Sequence, residues 1–311
     1  MQNTKGATVI ISTYSIERFQ HVTDCIKSLK RQSLPPKEIF LVLDPDEALL
    51  DFYKSRIDSD VRIIVSGERG LSNARNTGIK SAGQDIVAFI DDDAIAGHCW
   101  LENLVKNYTA STVMGVGGLI RPIWEGNTPV WFPEELLWIV GCSYKGLPNS
   151  KEYVRNPIGC NMSFRRDIVR RVGYFDVAVG RFGKQLLGSE ETEFSVRILE
   201  IILGSKILFD PSAVVYHRVP KVRRKFSYIL KRSFYEGLSK AIIAEHNLGS
   251  SGVLSTERHY LDYLFKVSIP SRLNRIYKLR NACHLMLLFV SVCMVIIGFS
   301  LGILMKLCRK A

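Results

Sequence analysis

Short apolar runs and amphipathic stretches alternate through the first half of this sequence. The runs at Ala7–Ser12, Glu38–Leu43, Val61–Val65, Ile86–Ile90 and Val113–Leu119 are rich in β-branched residues, which suit a pleated, buried surface. Between them, Phe19–Lys30, Ala48–Ile57, Leu71–Ser81 and Cys99–Thr109 repeat apolar residues three and four apart, the spacing of a half-buried helix. Such alternation admits few topologies. It predicts an α/β fold with a mostly parallel sheet and helices on both faces, whose ligands bind outside the carboxyl ends of the strands.

Common ligand classes for such sheets are separable by motif. No GxxxxGK[ST] phosphate loop occurs, and the nearest approach to a dinucleotide fingerprint, Gly115-Val-Gly-Gly-Leu-Ile120, comes late and ends in isoleucine. An aspartyl nucleophile would stand near the first strand, whereas Asp93 is well into the chain and is followed by Ala94-Ile95. What the chain does carry is VAFIDDDAIA (Val87–Ala96), a strand running straight into Asp91, Asp92 and Asp93. Three adjacent carboxylates repel one another unless they share a cation. A hard divalent ion such as Mn²⁺ or Mg²⁺ would bind them and leave positions open for phosphate, although the triplet read alone also fits a solvated acidic turn.

The 311 residues carry 42 Lys+Arg against 30 Asp+Glu, a net charge of +12 that suits anionic partners. Seven cysteines form no CxxC pair, so neither a disulfide framework nor a zinc site is expected, and a reducing cytosol is the simpler home. The opening MQNTKGATVIISTYS lacks the layout of a secretory signal and reads as a first strand. Near the other end, Leu285–Met305 contains no charged residue and is long enough to cross a hydrocarbon core of about 30 Å. Lys266, Arg272, Arg275, Lys278 and Arg280 precede it, and Lys306, Arg309 and Lys310 follow. That excess places the large domain in the cytoplasm, with one pass through the cell membrane.

From about Val214 the chain becomes basic with interleaved aromatics. A helix there would carry Phe226, Ile229, Leu230, Phe234 and Leu238 on one side and Lys231, Arg232 and Lys240 elsewhere. It fits an interfacial helix on anionic headgroups or a plain solvated helix packed on the domain; a nucleic-acid surface has only this segment in its favour, and no nucleic-acid partner is expected. Gly249-Ser-Ser-Gly252 reads as a turn or linker. The expected division is 1–215 for the α/β domain, 216–280 for the basic helical extension, 281–306 for the span and 307–311 for a short tail.

Several stretches together carry a resemblance. VIISTYS (Val9–Ser15), EIFLVLD (Glu38–Asp44), GLSNARNTGIKSAGQDIVAFIDDD (Gly70–Asp93), NMSFRRDIVRRVGYFD (Asn161–Asp176) and GSEETEFSVRI (Gly188–Ile198) stand in the order found in family 2 glycosyltransferases of the GT-A fold. The resemblance implies transfer of a sugar from a nucleotide-sugar donor, and it distributes the roles. Ser12, Tyr14 and Asp44 would surround the base: Tyr14 can stack on a ring, and Asp44 can accept the N3–H of uracil or thymine. By residue type alone, Tyr14 also fits ordinary packing and Asp44 a turn.

Asp91 and Asp93 resemble the family's DxD pair and would hold a divalent cation, with Asp92 nearer the ribose and donor sugar. Arg75 would stand by the phosphates, and His217 in VVYHRV would be a further metal ligand. Glu190-Glu191 occupies the place of an acidic pair at a helix start, where the dipole favours anions. Glu191 is expected as general base and Glu190 as its understudy, the family more often having Asp at the second position. Trp131–Pro148, rich in aromatics and glycines, fits an acceptor-side loop or core packing. With HRVP and YEGLSKA, it gives the chain a similarity to members that extend lipid-linked glycans, including dolichyl-phosphate-sugar glucuronosyltransferases. The expected enzyme is a membrane-anchored inverting transferase acting on a polyprenyl- or dolichyl-linked or other glycan acceptor; its rival is a non-catalytic scaffold of the same fold.

Overall fold

Pairing among the first four long strands sets the frame. In the computed structural model, which describes residues 6–178, 188, 190–246 and 254–310, β1 (Ala7–Thr13) pairs in parallel with β2 (Glu38–Leu43) and β4 (Ile86–Asp91), and β2 with β3 (Val61–Val65). Beyond β4 the sheet turns antiparallel. The short β5 (Ala94–Ala96) and β7 (Glu152–Val154) pair with β9 (Lys206–Val219), while β8 (Asn161–Arg165) lies between β4 and β6 (Val113–Trp124). The strand order is β3-β2-β1-β4-β8-β6-β9-β5, with β7 beside β9. The expected parallel pairing thus holds for the first half and gives way to a mixed sheet in the second.

Strand alternation divides the core between two faces. Ile10, Phe40, Val42, Val87 and Phe89 pack with Ala74 and Ile79 of α3 (Leu71–Ser81) and with Phe194 and Ile198 of α6 (Glu190–Ile201). Val9, Ile11, Leu41 and Ala88 alternate to the opposite face and are equally buried. Helix α1 (Phe19–Lys30) buries Val22, Cys25, Ile26 and Leu29, spaced three and four apart as its sequence requires, and lies against β5.

Helix α2 (Glu47–Lys54) begins where the Asp46 side chain accepts the Leu49 amide at 3.1 Å, a residue earlier than its periodicity suggests. It also stops three residues sooner. The segment expected as a helix to Thr109 is regular only over α4 (Trp100–Val105). Asn107 bonds the Asn103 carbonyl and the Asp210 carboxylate, 2.6 and 2.8 Å away, and this side-chain competition diverts the chain from the helix. A further short helix, α5 (Ile168–Val172), follows β8.

Of the described residues, those within Met1–Arg121, Pro148–Gly183 and Glu190–His217 form one compact unit, which contains the main sheet. Those within Pro122–Leu147, Lys184–Ser189 and Arg218–Ala311 form a second. Its long helices are α7 (Phe226–His246) and α10 (Leu279–Lys310), joined through α8 (Ser255–Tyr263), a π turn at Leu264–Ser268 and α9 (Ile269–Leu273). The Gly249–Gly252 turn lies outside the described residues.

Helices α7 and α10 meet backbone to backbone. A Cβ added at Gly237 would stand 2.0 Å from the Val295 carbonyl oxygen, and one at Gly298 would stand 2.0 Å from that of Phe234. The basic helix is therefore a partner of the apolar one. Its charges correct the sequence reading accordingly: Arg232 and Lys240 are buried, not solvated. Arg232 pairs with Glu236 at 2.7 Å, and Lys240 reaches Glu236 at 3.2 Å and Glu257 at 2.8 Å.

Candidate active site

Two ladders bring the acidic triplet to its partners. At the end of the β4–β8 ladder Ile90 stands opposite Asn161, so the next residues outward, Asp91 and Cys160, face one another across the sheet end. The β5–β9 ladder places Ala94 opposite His217, bringing the imidazole back to the aspartates just before β5. The ligand atoms of Asp91, Cys160 and His217 all lie within 4.8 Å of one another, and His217 Nε2 is 3.2 Å from Asp93 Oδ1. Asp93 and His217 are buried. A solvated acidic turn is excluded.

This donor set fits a divalent cation: two carboxylates and an imidazole converge from three strands or strand ends, as separate segments must to make a cage. Asp91, Asp93 and His217 are the ligands expected from the sequence. Cys160 was not foreseen, because a single cysteine outside any CxxC pattern carries no signal; only the antiparallel register of β8 sets it beside Asp91. Neighbouring Asn161 is a fully buried peg that accepts from Trp100 Nε1 at 2.8 Å and donates to the carbonyls of Leu119 and Ala213 at 3.1 and 2.8 Å. These bonds fix the strand end that carries the thiol.

Arg75 lies at the centre of the charges. Its α3 position is 3% exposed, and Nη1 donates to Glu190 Oε1 at 2.6 Å while Nη2 approaches Asp91 Oδ1 at 4.0 Å. The guanidinium also donates to the Gly159 carbonyl at 3.3 Å, and the Phe89 and Phe175 rings flank it, their centroids 5.9 and 5.7 Å away. A helix-surface ion pair is thereby excluded. Glu190 opens α6 and is buried, its Oε2 having no hydrogen-bond partner among the described residues. Four residues on, Phe194 packs against Phe175 and Phe164 at 4.4 and 5.0 Å, which holds that face of the helix to the sheet. Glu191, the next residue, is half-buried. Glu193 forms a two-point pair with Arg197, both contacts 2.7 Å.

Arg18 is a second cation at the site, and sequence reasoning missed it. It ends a 3₁₀ turn, Ile16–Arg18, that begins where the Ser15 hydroxyl accepts the Glu17 amide. Its guanidinium bonds Asp92, lies 3.4 Å from Asp93 Oδ2, and covers the Tyr14 ring at 4.9 Å. Burial disfavours the guanidinium charge, but Asp92 and Asp93 outweigh it and raise the Arg18 pKa. Asp92 is pushed up to about 6 by burial, which Arg18 opposes and Asp93 reinforces.

Ser12, Tyr14 and Asp44 stand at the carboxyl ends of β1 and β2, beside Asp91 on β4. Ser12 pairs with Asp91 in register, and Asp44 Oδ1 accepts the Gly70 amide at 3.2 Å at the start of α3. Tyr14 is 62% exposed, so its ring is available to a flat ligand and is not a core residue. Partial burial raises the Asp44 pKa, against the opposing Gly70 amide and Arg69. All ten residues expected at the site belong to one compact unit, within which Asp91, Asp93, His217, Arg75 and Glu190 form one connected cluster.

Comparison with known proteins gives the family and the fold. Glucosyl-dolichyl phosphate glucuronosyltransferase of Haloferax volcanii is 32% identical over 304 residues, covering 96% of each chain. Succinoglycan biosynthesis protein ExoM of Rhizobium meliloti is 25% identical and covers 71% of this chain and 70% of its own. Among solved structures, the mannosyltransferase PcManGT of Pyrobaculum calidifontis, determined with GDP-Man and Mn²⁺, aligns with a TM-score of 0.61 at 18% identity, covering 97% of this chain and 88% of that one. GalNAc-T7 with UDP, GalNAc and Mn²⁺ aligns at 0.53 and 16% identity; this chain covers 57% of its length. These two share the fold. The model of glycosyl transferase family 2 matches residues 8–173, and the chain belongs to that family.

Proposed function

We propose that this glycosyltransferase is a metal-dependent inverting enzyme. It moves a sugar from a UDP-linked donor, a glucuronate in the first instance, to a polyprenyl- or dolichyl-phosphate-linked glycan at the membrane surface. The observation that carries the reading is the convergence of Asp91, Asp93 and His217 with the buried Arg75–Glu190 pair at the strand ends. The name of the Haloferax volcanii relative supports the acceptor class and the choice of glucuronate.

Asp44 accepts the uracil N3–H, Tyr14 offers its ring face, and Ser12 completes the base end of the site. Asp92 is assigned to the ribose and donor-sugar side, with Arg18 as its counter-charge. Asp91, Asp93 and His217 would hold Mn²⁺ or Mg²⁺. Such an ion supplies Lewis-acid stabilisation of the charge that grows on the diphosphate as the glycosidic bond breaks. Arg75, neutralised by Glu190 in the free protein, provides a fixed positive charge beside the same phosphates.

Division of labour follows within the glutamate pair. Glu190 is committed to Arg75 and positions it. Glu191 takes the proton of the acceptor hydroxyl as that oxygen bonds the anomeric carbon and the diphosphate leaves with the electron pair of the broken C–O bond. A single displacement of this kind inverts the anomeric centre.

Helix α10 confines the enzyme to the plane of its lipid acceptor. Leu279–Met305 is long and apolar enough to cross a membrane, and the basic residues before it support a single pass with the catalytic unit on the cytoplasmic side. The paired charges on α7 suit a helix lying along such a span, since ions near lipid persist only where they neutralise one another.

Purified full-length protein with UDP-glucuronate, Mn²⁺ and polyprenyl-phosphate-linked glucose should release UDP and extend the lipid. Asp93→Ala and Glu191→Gln should each abolish transfer while leaving the fold intact. Undiminished transfer by both variants would reject the site assignment.

A further inference from the structure

The second unit contains a hollow of about 660 Å³ whose wall includes Glu135, Lys145, Arg272, Arg275, Arg280 and Asn281. Four cations face one carboxylate. Glu135 is buried and fully engaged: its Oε2 accepts from Arg272 Nη2 and its Oε1 from the Ser268 hydroxyl, both at 2.8 Å. That pair cancels and stiffens the floor. Lys145 lies 2.7 Å from Glu134, but both side chains are more than half exposed, so water screens the pair. Arg275 and Arg280 are exposed and have no carboxylate partner among the described residues. The hollow therefore keeps an uncompensated positive wall.

Its place on the fold narrows the ligand. Arg280 and Asn281 lie in the first turn of α10, where the helix dipole adds to the attraction for an anion. The helix then continues directly into its apolar run, and Met286, Phe289, Ile296 and Ile297 are all more than half exposed along it. A molecule with an anionic head and a long apolar tail matches both features. Two guanidinium forks can share the oxygens of a phosphate, and the exposed side chains offer the tail an apolar path.

We propose that this hollow binds the phosphate of the polyprenyl-phosphate-linked acceptor and holds it at the bilayer surface. The proposal rests on the acceptor class assigned above and gives that acceptor a site in the second unit.

The test uses the full chain in nanodiscs of zwitterionic lipid. A short-chain polyprenyl phosphate is titrated by native mass spectrometry, beside phosphatidylglycerol at equal mole fraction and with inorganic phosphate as competitor. Arg275→Gln/Arg280→Gln should weaken polyprenyl-phosphate binding by roughly tenfold to a hundredfold, the scale of lost charge-assisted hydrogen bonds. Lys266→Gln/Lys278→Gln removes the same charge from exposed positions outside the hollow and should leave that binding within twofold.

Equal loss in both double variants would overturn the site in favour of diffuse attraction. Phosphatidylglycerol binding as tightly as polyprenyl phosphate would make it a general anionic-lipid contact, and ready displacement by millimolar inorganic phosphate would make it a free-phosphate site; either refutes the acceptor assignment. Asp93→Ala separates this proposal from the catalytic reading, because it should lose transfer and keep lipid binding.

Discussion

Replacing Arg75 by methionine removes the cation from a cluster of carboxylates while keeping most of the side-chain volume. Glu190 would lose its 2.6 Å partner in a site where its side chain is 5% exposed, and Asp91 would lose the positive charge 4.0 Å away. Breaking a buried pair from one side costs about 3–5 kcal/mol, because the remaining charge is left uncompensated. A kilocalorie shifts the midpoint of a domain of 150–250 residues by about 2–4 °C, so the expected loss is about 6–20 °C. Glu190→Leu should cost a similar amount for the opposite reason, a stranded guanidinium. The double variant Arg75→Met/Glu190→Leu should regain most of the stability, since an apolar pair of similar size replaces an ionic one at little net cost.

Activity should not follow stability in that cycle. Both singles and the double variant should lose transfer, because none of them retains Arg75 held beside the phosphates. Differential scanning fluorimetry in detergent reports the first quantity and UDP release the second. Additive midpoint losses in the double variant would refute the buried-pair argument. A double variant that recovered both stability and transfer would refute the catalytic role of Arg75.

Donor affinity should weaken as pH falls through a midpoint above the ordinary aspartate value of 3.8, since burial raises Asp44 and protonation removes the acceptor for the uracil N3–H; calorimetry of UDP binding from pH 4 to 7 checks this, and Asp44→Asn should flatten the profile. Cd²⁺ added to the reduced protein should give thiolate-to-metal absorption in the ultraviolet that Cys160→Ser abolishes, because the thiol lies within 4.8 Å of the Asp91 and His217 ligand atoms. Gly298→Leu should separate α7 from α10, there being 2.0 Å between a Cβ at that position and the Phe234 carbonyl; the expected outcome is faster tryptic cleavage of α7 with the catalytic unit still intact.

What could be read from the residues was what depends on local pattern. The strands at Glu38–Leu43 and Val61–Val65 and the helix at Leu71–Ser81 have the bounds their local pattern predicts: the first strand is buried along almost its whole length, the helix buries Ala74 and Ile79, and VRIIV is a β-branched run although only Val61 of it is buried. The grouping of Asp91, Asp93 and His217 was legible because acids at a strand end and a histidine after another strand form part of an ordered set of motifs; their role as metal ligands is a proposal. Arg18 and Cys160 were not, since their roles come from where distant segments cross. Arg18 needs a 3₁₀ turn to aim it at Asp92, and Cys160 needs an antiparallel register one residue beyond Ile90–Asn161. The second half of the sheet was obscure for a related reason: β5 and β7 have three residues each, too few for any period to emerge.

The basic stretch after Val219 shows how composition misleads when charges pair. Counted along the chain, Arg232 and Lys240 mark a solvated or lipid-facing surface. In space, Glu236 lies between them one helical turn from each, and Glu257 arrives from α8 to complete a network of two cations and two anions. The positive charge left over belongs to other residues, among them Arg275 and Arg280 at the start of α10. A charge-reversed pair within the network, such as Lys240→Glu with Glu257→Lys, should therefore preserve the fold and membrane association of the chain, whereas Lys240→Glu alone should place three carboxylates together and destabilise the α7–α8 junction. If the single and double variants melted alike, the network would be a surface feature after all, and the close pairing of α7 with α10 would have to rest on its glycines alone.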